Sequence, residues 1–149
     1  MGLLILGLVI SIYTETFFRH LIQNLFRWST HNHINFYGKN FFLFNKPVYY
    51  ISFSISALLF GTSNKTKPFS KIMINAIVLF LIFRSVLTLI SAIDATAKIA
   101  ECTACDDGTR SIHYNDINYS VILSISLLTA VVPDIFKIIR NRKANTNRS

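Results

Sequence analysis

The sequence predicts an all-α membrane protein, a bundle of four transmembrane helices. Of its 149 residues, 52% are hydrophobic and 15% are charged, whereas an ordinary soluble domain carries about 25% charged residues. Charged residues are sparse in four apolar stretches and are concentrated between them. A surface in water needs charged side chains throughout, so this pattern favours lipid as the surroundings. We expect one membrane domain, residues 1–139, followed by a disordered basic tail, residues 140–149.

The predicted spans cover residues 2–18, 41–60, 72–93 and 119–139. A helix rises 1.5 Å per residue and the hydrocarbon core is about 30 Å thick, so a span needs about 20 residues. The third segment meets this length cleanly, whereas the first two are short or interrupted. In the fourth, Pro133 is expected to kink the helix because it lacks an amide hydrogen. The first segment has no basic residue before Arg19, which favours a retained helix over a cleaved signal peptide.

The first helix is predicted to continue beyond its span as an amphipathic extension. Between Phe17 and Phe26 the apolar side chains recur at helical spacing, and polar side chains occupy the other face. Trp28, of a residue type favoured at membrane interfaces, follows this stripe. The extension would either lie in the interface or pack against neighbouring helices.

The loop charges predict which side of the membrane each end faces. Residues 61–71 hold three lysines and no acid, and the last 13 residues hold five basic side chains, whereas residues 94–118 hold two basic and five acidic ones. The positive-inside rule then places both termini in the cytoplasm. The composition, rich in Asn, Ile and Phe, suggests an AT-rich coding sequence, as found in bacteria, mobile elements and organelles. Of these, we expect a bacterial inner membrane.

The basic residues near the C-terminus are expected to contact lipid rather than nucleic acid. They follow an apolar segment directly, where such clusters set topology and attract anionic headgroups. The net charge of +8 alone would suggest nucleic acid, but no basic and aromatic motif of a nucleic-acid-binding fold is present. The cluster consists of Lys137, Arg140, Arg142 and Lys143.

Five charged residues fall inside the predicted spans, and three of them, Glu15, Arg84 and Asp134, are candidates for an intramembrane ion pair. Arg84 lies near the middle of the third span, where an arginine costs about 2.5–3.5 kcal/mol and usually faces a partner. At 1.5 Å per residue, Arg84 lies about 18 Å and Glu15 about 20 Å from the same membrane face, while Asp134 lies only about 7–8 Å from it. We therefore predict a Glu15–Arg84 ion pair, with Asp134 as the second choice. Such a pair would fix helix register, line an ion pathway, or recognise another protein.

The loop between the last two spans contains the pair Cys102 and Cys105. In an oxidising compartment these cysteines are expected to form a local disulfide. Free thiols, redox chemistry or half of a zinc site are the alternatives. His113, His31 and His33 are weak candidates for the remaining zinc ligands. We expect neither a metal nor another cofactor.

These observations favour a non-enzymatic protein that acts by interaction within the membrane. Its expected partners are membrane lipid and another membrane protein, either as a complex subunit or as a guard of the immunity or exclusion type, which shares this size, charge and span count. This comparison is an analogy of architecture. A small transporter or channel using Glu15 and Arg84, or a thiol or metal protein using Cys102 and Cys105, are the alternatives.

Overall fold

A computed structural model describes residues 2–38, 47–100 and 110–146, apart from the side chains of 142 and 144–146. Within these ranges the chain forms five α-helices and one short two-stranded sheet. The helices are α1 (Gly2–Ser29), α2 (Pro47–Asn64), α3 (Phe69–Ala100), α4 (Tyr119–Ala130) and α5 (Val132–Thr146). The strands are β1 (Ile34–Tyr37) and β2 (Arg110–His113), and a single 3-10 turn, Tyr114–Asp116, follows β2.

Among the described residues, three helical segments are long and apolar enough to cross a membrane. They are Gly2–Ser29, Phe69–Ala100 and Tyr114–Asn141, with mean hydropathies of 1.5, 2.4 and 2.0. The membrane character predicted from the first, third and fourth apolar segments is therefore confirmed by helix length and composition.

The second predicted span is helical but is not one of these three segments. α2 has 18 residues, and four of them are serines, which lowers its mean hydropathy. Residues 41–46 of the predicted span lie outside the described residues, and the helix runs four residues past the predicted end, to Asn64. A fourth crossing of the membrane stays a prediction.

The predicted extension of the first helix is continuous with its span. α1 runs unbroken for 28 residues, a length of about 42 Å at 1.5 Å per residue. Beyond it, His31 and Asn32 adopt positive φ angles of 51° and 65°. This left-handed turn, which asparagine and histidine tolerate better than most residues, directs the chain into β1.

Pro133 breaks the last apolar segment into two helices, as its missing amide hydrogen predicts. α4 ends at Ala130, where the amide of Val131 still donates to the Leu127 carbonyl at 3.2 Å. α5 begins at Val132, and the amide of Asp134 donates to the Val131 carbonyl at 3.0 Å. Since α4 has only 12 residues, about 18 Å, the first turns of α5 are needed to complete a span.

The helices pack as a four-cornered bundle. α1 and α4 each pack against both α2 and α3, so α2 and α3 stand at opposite corners although they are consecutive in the chain, and α5 folds against α2. We call the end of the bundle that carries residues 65–68, between α2 and α3, the hairpin end.

The side-chain distribution is that of a bundle in lipid. Large apolar side chains such as Phe17, Ile51 and Phe80 are exposed, while Ser11, Ser91 and several other serines are buried. Soluble proteins bury most of their large apolar side chains. In membranes, helix interfaces are instead enriched in small residues that allow close approach.

A close approach of this kind joins α1 to α2. A Cβ atom added to Gly7 would lie 2.9 Å from the Ser54 Cα and 3.1 Å from the Ala57 Cβ. One turn later on the same face of α1, Ser11 is fully buried. The two helices can therefore meet backbone to backbone only because position 7 carries no side chain.

The sheet was not predicted. β1 and β2 pair in parallel, with Ile34 opposite Arg110 and Tyr37 opposite His113. The strands come from the segments between the first and second predicted spans and between the third and fourth, so these two segments meet at one end of the bundle, which we call the sheet end. Four spans would place both segments on the same side of the membrane, and the pairing agrees with that. The predicted all-α class is corrected, because the chain also contains this small sheet.

Candidate functional site

Arg84 is the charged residue whose position is hardest to reconcile with lipid. It stands at the midpoint of α3, and its side chain is exposed on the outside of the bundle. Its carbonyl accepts a 2.9 Å hydrogen bond from the Thr88 hydroxyl, an ordinary intrahelical contact. Within the described ranges its guanidinium forms no ion pair.

The predicted Glu15–Arg84 ion pair does not form in this structure. Glu15 Oε1 instead lies 3.0 Å from Arg19 Nη2, and the Tyr50 hydroxyl donates to Glu15 Oε2. The rings of Phe18 and Phe83 meet with centroids 5.4 Å apart, so α1 and α3 are neighbours at these two positions. The side chain of Arg84, however, is exposed on the outer surface of the bundle.

The reason for this difference is a partner for Glu15 within α1 itself. Arg19 lies in the predicted extension of the first helix, and its pairing with Glu15 was not predicted. Because the helix continues, Arg19 lies one turn after Glu15 on the same face, the spacing at which opposite charges pair.

Glu15 and Arg19 belong to a polar network between α1, α2 and α4. The Arg19 guanidinium carbon lies 5.3 Å from the ring centroid of Tyr119, and Gln23 donates a 2.9 Å hydrogen bond to the Tyr119 hydroxyl. We call Glu15, Arg19, Gln23, Tyr50 and Tyr119 the α1 polar cluster. Each of its charges has a partner inside the bundle, so the cluster fixes how three helices meet.

Asp134, the second-choice partner of Arg84, is also engaged elsewhere. It is buried, with 4% of its surface exposed. Its carboxylate accepts a 2.7 Å hydrogen bond from the Ser63 hydroxyl and forms a 3.2 Å ion pair with Lys137. One residue from Ser63, the Asn64 side-chain oxygen accepts hydrogen bonds from Lys67 at 3.0 Å and Asn75 at 2.6 Å. These contacts tie α2, α3 and α5 together at the hairpin end.

The thiol and metal candidates are only partly described. Cys102 and Cys105 lie outside the described residues, so their disulfide stays a prediction. His31 and His33 are exposed beside β1. His113 packs its ring edge-on against Tyr37, with centroids 5.3 Å apart, and its Nδ1 accepts from the Asn115 amide at 3.1 Å.

No cluster of three or more His, Cys, Asp or Glu side chains suited to a metal ion occurs in the described part of the chain. His113 has a structural environment of its own: Gly38, at a φ of 87°, leaves the space that the imidazole fills. A Cβ atom at position 38 would collide with that ring.

The predicted lipid-contacting cluster lies on α5. Arg140 and Lys143 are exposed, while Lys137 is half-buried beside Asp134. The side chain of Arg142 lies outside the described atoms. Exposed Phe136 and Ile139 stand among these basic residues.

Three members of the α1 polar cluster were not predicted from the sequence: Arg19, Tyr50 and Tyr119. A usable signal for Arg19 was the Glu15-to-Arg19 spacing of four residues on one helix. The two tyrosines gave no such signal, because their role depends on which helices become neighbours.

Comparison with protein-family models, curated proteins and solved structures finds no match to this chain.

Proposed function

We propose that this chain acts by binding another membrane protein inside the bilayer, with Arg84 as the recognition charge. The observation that supports it is the exposed position of Arg84 at the midpoint of an apolar helix. An arginine in the centre of a bilayer is costly, and such residues are normally paired inside a bundle. A carboxylate on a neighbouring transmembrane helix would remove this cost, which gives the complex its stability and its selectivity.

The partner is a different protein rather than a second copy. In the described helices, the acidic side chains near the membrane interior are already engaged or turned inward: Glu15 contacts Arg19 and Tyr50, and Asp134 is buried against Ser63. Among the described residues, a second copy would therefore present no free carboxylate at the level of Arg84. The complementary Asp or Glu must come from another sequence.

The surface around Arg84 suits a helix as the occupant. Phe80 and Leu81, one turn before it, are both 55% exposed, and Ser85 is exposed beside them. The Ser85 hydroxyl is satisfied by the Leu81 carbonyl at 2.9 Å, so this small residue needs no further partner. A small residue beside a charge lets a partner helix approach closely, while the apolar neighbours supply packing.

The setting we propose is a bacterial inner membrane with both termini in the cytoplasm. The supporting feature is the basic character of residues 65–71 and 137–143 at the hairpin end. A complex subunit and a guard protein of the immunity or exclusion type would both use Arg84 in this way.

A transporter based on buried charges has less support. The α1 polar cluster would be its ion-binding site, but Glu15 is held by both Arg19 and Tyr50. The thiol or metal alternative rests on Cys102 and Cys105, which lie outside the described residues.

Site-specific photo-crosslinking in native membranes tests the proposal. A benzophenone amino acid at Leu81 should crosslink to one discrete membrane protein, and Arg84→Gln should abolish that adduct while the variant stays membrane-inserted. The same probe at Val121, exposed on α4, is the control and should not give the adduct.

Charge exchange then identifies the contact. Arg84→Glu should lose the crosslink, and replacing an acidic residue in the partner's span by arginine should restore it. A crosslink of equal yield in wild type and Arg84→Gln, or adducts with copies of this chain alone, would refute the proposal.

A further inference from the structure

Two basic segments that are distant in sequence meet at the hairpin end. The Ser63 hydroxyl donates to Asp134 at 2.7 Å, which holds the start of α5 against the end of α2. The first segment follows Ser63 directly and the second follows Asp134 directly. Together they supply Lys65, Lys67, Lys71, Lys137, Arg140 and Lys143.

Most of these cations are not neutralised within the described residues. Asp134 pairs with Lys137 at 3.2 Å, and the Lys67 amine donates to the neutral Asn64 amide oxygen at 3.0 Å. The other four, which are Lys65, Lys71, Arg140 and Lys143, are exposed and form no ion pair with a described residue. A surface of this kind attracts anions.

Large apolar side chains stand beside these cations. On α5, Phe136 is 68% exposed and lies four and seven residues before Arg140 and Lys143, on the same helix face. On α3, Ile74 is 60% exposed and lies three residues after Lys71, on the same helix face. A soluble anion would gain nothing from these apolar side chains, whereas a phospholipid has a charged headgroup joined to apolar chains.

We propose that the hairpin end is a binding site for an anionic phospholipid. Lys65 and Lys71 from one side, and Arg140 and Lys143 from the other, contact the headgroup phosphate. The acyl chains lie along the apolar side chains of α3 and α5. This site is independent of Arg84, which lies half a helix away, so either proposal can fail without the other.

Native mass spectrometry of the detergent-purified protein measures this binding directly. The wild type is titrated with phosphatidylglycerol, with phosphatidylcholine, and with inorganic phosphate alone. We expect phosphatidylglycerol to bind at least tenfold more tightly than phosphatidylcholine. Equal affinity for the two lipids, or inorganic phosphate binding as tightly as phosphatidylglycerol, would overturn the proposal.

Matched variants locate the site. Arg140→Gln/Lys143→Gln and, separately, Lys65→Gln/Lys71→Gln should each weaken phosphatidylglycerol binding by about tenfold or more, because one basic residue near an anionic surface contributes a factor of about five. The control, Arg27→Gln/Lys98→Gln, removes the same charge from the other half of the bundle.

Size-exclusion profiles and thermal unfolding of all three variants identify any that misfold. The comparison of lipids on the wild-type protein tests the proposal even if a variant does misfold. Equal loss in the control and in the two test variants would show a net-charge effect and refute the site.

Discussion

The Ser63 hydroxyl and the Asp134 carboxylate are joined by a 2.7 Å hydrogen bond across 71 positions of sequence. The bond holds the last turn of α2 against the first turn of α5, directly after the break at Pro133. Its donor and acceptor are both buried, at 7% and 4% exposure. It therefore connects the break in the last span to the hairpin end, where Lys137 also contacts Asp134.

Asp134→Ala should lower the free energy of unfolding by about 1–3 kcal/mol, because it leaves the buried Ser63 hydroxyl without its acceptor. Asp134→Asn keeps an acceptor oxygen and should cost less. Denaturant unfolding in detergent, followed by circular dichroism, measures both. Equal losses in the two variants would show that the ion pair with Lys137, which both substitutions remove, matters more than the hydrogen bond.

The close contact of α1 with α2 predicts a large difference between two glycines. Gly7→Val should destabilise the bundle by about 1–3 kcal/mol, since its side chain would be forced into the Ser54 backbone. Gly2→Val is the matched control, because nothing lies within 4 Å of an added Cβ there. Thermal unfolding of the two variants in the same detergent makes the comparison, and equal melting temperatures would contradict the packing.

A double-mutant cycle distinguishes the observed partner of Glu15 from the predicted one. Glu15→Gln and Tyr50→Phe should be non-additive in unfolding free energy by at least about 0.5 kcal/mol, because the residues are in direct contact. Glu15→Gln and Arg84→Gln should be additive. Coupling in the second cycle, and none in the first, would contradict the Glu15–Tyr50 contact and support the predicted Glu15–Arg84 pair.

Much of this fold follows from the sequence because lipid imposes a simple length rule. The apolar segments that became α1, α3 and the α4–α5 unit were all found in this way, and the break at Pro133 follows from one missing hydrogen-bond donor. α2 is harder, since its serines lower its hydropathy although they serve helix contacts: Ser54 packs against α1 and Ser63 bonds to α5. These contacts are apparent only once the neighbouring helices are known.

The candidate site was less predictable for a related reason. The Glu15–Arg84 pair was predicted from depth alone, and depth does not say in which direction a side chain points around the helix. That direction depends on how α3 packs, and Phe83 rather than Arg84 faces α1. The strands were missed because four-residue segments inside polar loops carry almost no periodic signal.

The parallel pairing at the sheet end predicts a specific disulfide. In a background with Cys102→Ser and Cys105→Ser, Asn35→Cys and Ser111→Cys should crosslink under mild oxidation, because the residues are register partners. The control pair, Asn35→Cys with Thr62→Cys, should not crosslink, because Thr62 lies near the hairpin end. Gel mobility with and without reductant reports the outcome, and crosslinking of the second pair would contradict the bundle's topology.

The proposed function requires that the face of α3 around Arg84 is exposed to the lipid bilayer. A spin label at Ser85, in the same cysteine-free background and reconstituted without any partner, measures this directly through its collisions with oxygen and with a water-soluble nickel complex. We predict frequent collisions with oxygen and few with nickel, as for a site deep in the bilayer. Frequent collisions with nickel, or protection from both reagents, would contradict the account.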